Sequence, residues 1–374
     1  MFYTFLKETT PPAESQLSLF SRISWIPAKQ THIITTQILV PTQNMHTKAV
    51  EKEEEFIKLA TALLKNAPTP TETMQEYYTS FKIPKKTGGF REISAPNDSL
   101  KYTQWCISKL LSYNLSLLTH EAAYAYTPKR SHIDALKKHQ TNNSRWFLKL
   151  DIKNFFPSCT KEFVQNQLRK LYPIAIWGHT ALDLLDQLIN ICCLNGSLPQ
   201  GSPASPILSN LIFIPFDWAI QDSLQHIFKT QKYVYTRYAD DICISAKGAF
   251  SYSNIAARIQ KLLAPEFTLK NEKMRYGSTA GRNWNLGLML NKDNQITTGA
   301  VNKRNIKAML CNFIIAEKEN KPYTLPQVQR LQGILNYAKQ IEPEYISYLI
   351  DKYTQKYNFP ILSTIQQRLK TGIR

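Results

Sequence analysis

A chain of 374 residues with 46 Lys and Arg against 28 Asp and Glu carries a net charge of +18. That length can bury a core in one large or two to three small packed domains, and that charge favours a polyanionic partner, with 11% aromatic residues suited to base stacking. No apolar run reaches the roughly 18 residues that span a bilayer, so no membrane partner and a cytoplasmic location are expected. The six cysteines form no CxxC pair and show no histidines at ligand spacing, which points to reduced core residues rather than a zinc site.

In chain order, residues 1–50 show no clear period. Residues 51–66 repeat apolar side chains at helical spacing (Phe56, Leu59, Ala60, Leu63, Leu64), which predicts a helix with its acidic residues in the first turn, closed by Pro68 and Pro70. Ile83 to Ile93 reads as a hairpin, with short β-type runs on either side of Lys85-Lys86-Thr87-Gly88-Gly89. Helices are predicted over 99–118 and Ile133–Gln140, then a strand over Trp146–Ile152. Residues 161–194 read as helical with a break at Pro173, and a Gly/Pro/Ser loop from Pro199 to Pro206 opens a helix from about Ile207 to Phe228. A further helix follows near Asn254–Leu263, then a strand at 285–290, and helices near 303–319, 325–340 and 343–357. Strands and helices mix without a βαβ rhythm, so the expected fold is an α+β core followed by a helical C-terminal part.

Chemistry concentrates in Tyr235 to Ser245, where Asp240 and Asp241 sit at the midpoint of a β-branched and aromatic run. Alternation along a strand sends neighbours to opposite faces, so both face forward only across a tight turn. Two carboxylates in apolar surroundings repel each other and are poorly solvated; a divalent cation relieves both problems. A bare Asp-Asp pair also serves as a plain turn between strands. Asp151 ends an apolar strand and could supply a third carboxylate from an adjacent antiparallel strand. Three carboxylates around two Mg²⁺ ions would suit an in-line displacement that activates a 3′-hydroxyl and stabilises a pyrophosphate leaving group. The loop Leu198 to Pro206 places Gly201 at a helix start, where backbone can approach a ligand and the helix N-terminus favours phosphate. Lys85, Lys86 and Arg91 put cations on a mobile turn, as a triphosphate clamp requires.

Taken in order, the basic hairpin, Asp151-Ile152-Lys153-Asn154-Phe155-Phe156, Pro199-Gln200-Gly201-Ser202-Pro203 and Tyr238-Ala239-Asp240-Asp241 resemble the reverse transcriptase family. The match is to its bacterial group of group II intron, retron and phage-defence enzymes, from about Pro84 to Leu290 and more weakly to Tyr357. The resemblance implies a right-hand polymerase with fingers, an antiparallel-sheet palm and a small helical thumb. Its implied boundaries are a partly helical N-terminal extension at 1–66, fingers at 67–145, a palm at 146–290 with a fingers insertion at about 161–198, and a helical thumb at 291–374.

It implies an RNA-templated DNA polymerase using two Mg²⁺ ions, with Mn²⁺ as a substitute, and dNTPs. Asp151, Asp240 and Asp241 look like the catalytic, metal-binding triad, with the Ile152 carbonyl as a further ligand and Asp240 as the closer of the adjacent pair. Asn154, Phe155 and Phe156 fall at the nucleotide, and Phe156 matches the steric gate against a ribose 2′-hydroxyl. Gln200 matches the residue beside the incoming nucleotide, Lys85, Lys86 and Arg91 the triphosphate grip, and Lys273 the lysine that approaches the pyrophosphate. Leu286, Gly287 and Leu288, after Asn285, resemble the primer grip.

Retron enzymes usually carry Val-Thr-Gly where this chain has Asn285-Leu286-Gly287. They also carry Asn-Ala-x-x-His, where it has Asp134-Ala135-Leu136-Lys137-Lys138-His139. The expected biology is therefore a defence-associated enzyme copying a dedicated noncoding RNA into a DNA product, with an effector protein or a homo-oligomer as further partners. The alternatives are a retron enzyme making RNA-linked DNA, template-independent or protein-primed synthesis, and an RNA-binding protein with a polymerase fold.

Overall fold

The computed structural model describes residues 43–68, 74–85, 88–115, 119–280 and 286–371. The centre is a four-stranded antiparallel sheet of order β4-β5-β3-β6, formed by β3 (Trp146–Asp151), β4 (Tyr233–Tyr238), β5 (Asp241–Ala246) and β6 (Arg275–Ser278). Strand alternation sorts its two faces. Leu148 and Leu150 of β3, Ile242, Ile244 and Ala246 of β5, and Tyr235 of β4 enter the main core. The opposite face carries Phe147 and Cys243 into a small cluster with Leu136, Leu288 and Leu290, and brings Asp151 and Asp241 to the strand ends.

Six helices back and flank this sheet: α1 (Gln43–Leu64), α2 (Asp98–Leu115), α3 (His132–Thr141), α4 (Lys161–Leu168), α5 (His179–Cys192) and α6 (Ser205–Ile227). α6 starts where Pro206 occupies the first turn, a position whose N–H has no helical partner anyway. It is buried on nearly every face, with Leu208, Phe213, Phe216 and Ile220 behind the sheet, so its sequence reads as almost unbroken apolar. α3 is set by a capping box between Ser131 and Asp134, a device that contributes about 1 kcal/mol. The hairpin pairs β1 (Tyr78–Pro84) with β2 (Phe90–Pro96), Ile83 opposite Arg91. After β5, α7 (Tyr252–Leu263) packs its buried Ile255 and Ile259 on the same core.

The C-terminal part has a core of its own. After a short ribbon of β7 (Met289–Leu290) and β8 (Ile296–Thr297), the helices α8 (Gly299–Lys318), α9 (Leu325–Ile341), α10 (Pro343–Tyr357) and α11 (Ile361–Thr371) bury Leu310, Phe313, Leu331, Leu335, Leu349 and Ile365 together. Thr324 and Gln327 form the capping box that starts α9. Among the described residues no helix is long and apolar enough to cross a membrane.

The α+β expectation holds, with three corrections and one extension. α1 begins at Gln43, not near Glu51, so no acidic residue lies in its first turn. The strand expected at 285–290 shrinks to Met289–Leu290 and joins a separate ribbon rather than the main sheet. β6 has no apolar pattern and becomes a strand only by pairing with β3. α11 lies within the helical region expected at 291–374 but beyond the last separate helix read, at 343–357; Ile361 and Ile365 bury one turn apart to complete the C-terminal core.

Candidate active site

β3 and β5 run antiparallel with Asp151 directly opposite Asp241, so the two side chains leave the same face of the sheet. β4 and β5 are joined by a two-residue turn, Ala239-Asp240, between paired Tyr238 and Asp241. Ala239 takes the left-handed conformation at φ 56°, a strained state for a residue with a Cβ. The turn is fixed from the front by the Ile152 N–H, which donates to the Asp240 carbonyl at 3.1 Å. An extended residue sends its C=O out on the edge of its own N–H, so the Ile152 carbonyl faces the same turn.

Behind the turn lies a sealed polar cluster. Arg237 is 1% exposed and Asp217 0%, and the guanidinium meets the carboxylate twice, at 2.9 Å from Nε and 2.7 Å from Nη2. Tyr235 donates to the same carboxylate at 2.5 Å. Arg237 Nη1 donates to the Asn210 side chain at 3.0 Å and to the Ala239 carbonyl at 3.3 Å, and the group lies over the Phe213 ring at 4.4 Å. Arg237 thus ties the strained turn to helix α6.

In front, Asp151 carries two ammonium groups. Lys270 Nζ is 2.7 Å from Oδ1 and Lys273 Nζ is 2.7 Å from Oδ2. The Lys273 contact is an aligned hydrogen bond, whereas buried Oδ1 has no hydrogen-bond donor and is met by Lys270 as charge alone. The segment around Leu269 is zipped to the end of β3 by Lys153 N–H on the Thr268 carbonyl (2.7 Å) and Lys270 N–H on the Asp151 carbonyl (2.8 Å).

Burial, and then the Asp151 charge, raise the Asp240 carboxyl above its ordinary range. Asp241 is open to solvent on its outer side, yet loss of water on the protein side and the charges of Asp240 and Asp151 push it up to about 6. Lys273 is raised, chiefly by its hydrogen bond to Asp151. Lys149, two residues before Asp151 on the same face, is lowered by burial to about 8.

Among the described residues no three His, Cys, Asp or Glu side chains stand close enough to hold a metal ion as they lie. The donor chemistry nonetheless fits a hard divalent cation: Asp151 and Asp241 pair across β3 and β5, Asp240 adjoins them on the turn, Asp151 Oδ1 has no aligned donor, and burial with neighbouring carboxylate charge raises Asp240 and Asp241.

The remaining expected positions divide. The Gln200 carbonyl accepts the Ser94 N–H at 2.9 Å, which docks the hairpin onto the loop. Gly201, at φ 131°, lies so close that a Cβ there would stand 2.5 Å from the Ser94 carbonyl oxygen. Lys85 and Arg91 are exposed on the hairpin, and Lys86 lies outside the described residues, as does Asn285. Asn154 is exposed at φ 48° and Phe156 is half-buried beside it.

Two expectations need correction. Phe155 is 4% exposed and packs its ring against Phe213 and Phe267, so its side chain belongs to the core. Leu288 is fully buried with Phe147 and Cys243, leaving only Leu286 (φ 53°) and Gly287 (φ 83°) at the turn.

Sequence reasoning missed Lys270, Arg237 and Asp217, and two further groups at the rim. Tyr126, half exposed at φ 59°, has its hydroxyl raised by burial and then by the Asp240 charge, with Arg91 opposing. His132 stacks on Tyr337 of α9 at 5.8 Å, hydrogen-bonds its hydroxyl at 3.0 Å, and meets Tyr238 edge-on at 6.3 Å. The left-handed Tyr126 and the long-range His132 pair leave no periodic signal in sequence.

Residues 83–310 match the family model described as reverse transcriptase (RNA-dependent DNA polymerase). The chain is 30% identical to the retron Ec83 reverse transcriptase of Escherichia coli, over 78% of this chain and 89% of that one. It is likewise 30% identical to the retron Ec73 reverse transcriptase of Escherichia coli, over 73% and 86% of the two chains. Among solved structures it aligns with telomerase from Candida albicans in complex with a TWJ fragment of telomeric RNA, at 13% identity and TM-score 0.44, covering 84% of this chain and 59% of that one.

Proposed function

The chain belongs to the reverse transcriptase family and is an RNA-directed DNA polymerase; on that premise we propose that Asp151, Asp240 and Asp241 form its catalytic triad. The observation that carries this is the register pairing of Asp151 with Asp241 beside the strained turn that holds Asp240. Members of the family use divalent metal ions. In this reading the three carboxylates and the Ile152 carbonyl would hold two Mg²⁺ ions, replaceable by Mn²⁺, and the bound charge would ease deprotonation of the primer 3′-hydroxyl and offset the charge of the departing pyrophosphate.

The chain's own groups do the positioning. The hairpin brings Lys85 and Arg91 over the triphosphate and the Gln200 loop lies beside the nucleotide. Phe156 crowds the 2′ position, and Lys273 stands ready to protonate the pyrophosphate. The hairpin with α2 and α3 acts as fingers, the sheet as palm, and α8–α11 as thumb.

We further propose that the template is a dedicated noncoding RNA and the product a DNA joined to RNA. Similarity to retron enzymes over most of the chain supports this, despite the two motif departures at Asp134–His139 and Asn285–Gly287. We include a role in antiphage defence in this proposal, by analogy with the bacterial group the motifs resemble. Sequencing nucleic acid that co-purifies with the protein tests it: RNA-linked DNA of one sequence is expected, and DNA attached to protein would replace this mode with protein priming.

For the site, Asp240→Asn with Asp241→Asn abolishes Mg²⁺-dependent dNTP incorporation in a primer-extension assay; incorporation at the parent rate sinks the assignment. Phe156→Ala raises ribonucleotide incorporation by about tenfold or more, and no rise removes the gate role.

A further inference from the structure

The Asp151 carboxylate, expected to face metal, is instead neutralised on each oxygen by a lysine at 2.7 Å. Lys273 is the more exposed of the pair, its side chain 48% accessible, whereas Lys270 is 21% accessible. Lys270 is also the better fixed, because its own N–H is bonded to the Asp151 carbonyl and its carbonyl accepts the Lys273 N–H at 3.1 Å. It therefore occupies Asp151 Oδ1, an oxygen that a cation on this carboxylate would use. An ammonium group and a divalent ion on the same oxygen repel, so each weakens the other's hold on it.

We propose that Lys270 is a positioning residue that holds Asp151 until the site loads, and that loading exchanges both ammonium groups for divalent cations. Lys273 is then freed toward the leaving group only in a loaded site, which orders metal entry before proton donation. This rests on the triad being the metal site.

The test is Mn²⁺ binding to the full-length protein without nucleotide or nucleic acid, followed by electron paramagnetic resonance. Lys270→Met is expected to bind Mn²⁺ about tenfold tighter than the parent, and Lys270→Arg within about threefold of it. Lys153→Met removes an exposed neighbouring charge that makes no ion pair with Asp151, and is expected to change affinity by less than about twofold. A structural lesion weakens the site, whereas loss of the Lys270 charge tightens it, and the Lys153 variant measures how much of any tightening comes from neighbouring charge alone. Unchanged or weaker binding by Lys270→Met overturns the proposal, as does equal tightening by Lys153→Met. Should Asp240→Asn leave Mn²⁺ binding intact, the triad reading itself fails, whatever Lys270 does.

Discussion

Two clusters of opposite charge flank the Tyr238–Asp241 turn, and they obey different rules. Behind the turn, Arg237 and Asp217 are both fully buried and every polar arm is matched, to Asn210, Tyr235 or the Ala239 carbonyl. In front, Lys270 and Lys273 meet Asp151 at the same distance, but the lysine side chains stay partly in water and Oδ1 lacks an aligned donor. A sealed pair cannot exchange partners without leaving a naked charge in the core, so it sets geometry. An open pair can exchange with solvent ions, so it sets occupancy. The Tyr238–Asp241 turn is fixed on the side of the sealed pair, and on its other side it faces ion pairs open to exchange.

The largest effect should come from breaking the sealed side. Arg237→Met leaves Asp217 unpaired in the core and releases the Ala239 carbonyl, for a loss of about 3–5 kcal/mol by urea unfolding. Asp217→Asn alone should also destabilise, by a smaller amount, because the amide still accepts one bond. A loss below about 1 kcal/mol for Arg237→Met would mean that the turn does not lean on this cluster.

Breaking the open side should separate stability from chemistry. Lys273→Met is expected to cost less than about 1 kcal/mol, as exposed ion pairs do, while slowing single-nucleotide incorporation about 100-fold through loss of the proton donor. Equal small effects on both would reduce Lys273 to a surface charge.

The contrast also explains what the sequence could and could not reveal. The places of Asp151, Asp240, Asp241 and the Gln200 loop at a strand end, a turn and a Gly/Pro loop were legible locally, while reading them as one site rested on the order of the motifs and the family resemblance. Most helices were legible from their buried stripes. Arg237 was not, since an Arg inside an apolar strand looks like a surface residue until Asp217, on a helix 20 residues earlier, is seen behind it. Lys270 was hidden because its meaning depends on the pairing of Leu269 with Ile152 across the fold. Phe155 and Phe156 are adjacent and chemically alike, and only the packing of Phe213 and Phe267 decides which one turns inward. The early start of α1 escaped because buried Ala49 and Phe56 are separated by the charged run Glu51 to Glu55.

The smallest predicted effect reads the balance of charge at the rim itself. The folded chain without metal holds the Asp241 proton up to about 6, against 3.8 for an unperturbed carboxyl. Between those values the folded state binds more protons than the unfolded one, so this group's contribution to stability falls as pH rises from about 4 to about 6 and stays low above that. Asn has no charge to repel Asp240 and Asp151. Asp241→Asn should therefore match the parent near pH 4 and melt about 2 °C higher at pH 7.5, a shift kept small by solvent at the outer side of the group. Adding Mn²⁺ at pH 7.5 should reverse the order, since the parent gains a bound cation and the variant loses a ligand. Melting curves that run parallel from pH 4 to pH 8, with and without Mn²⁺, would show that Asp241 carries no unmet negative charge and that the open side of the turn is already balanced by its lysines.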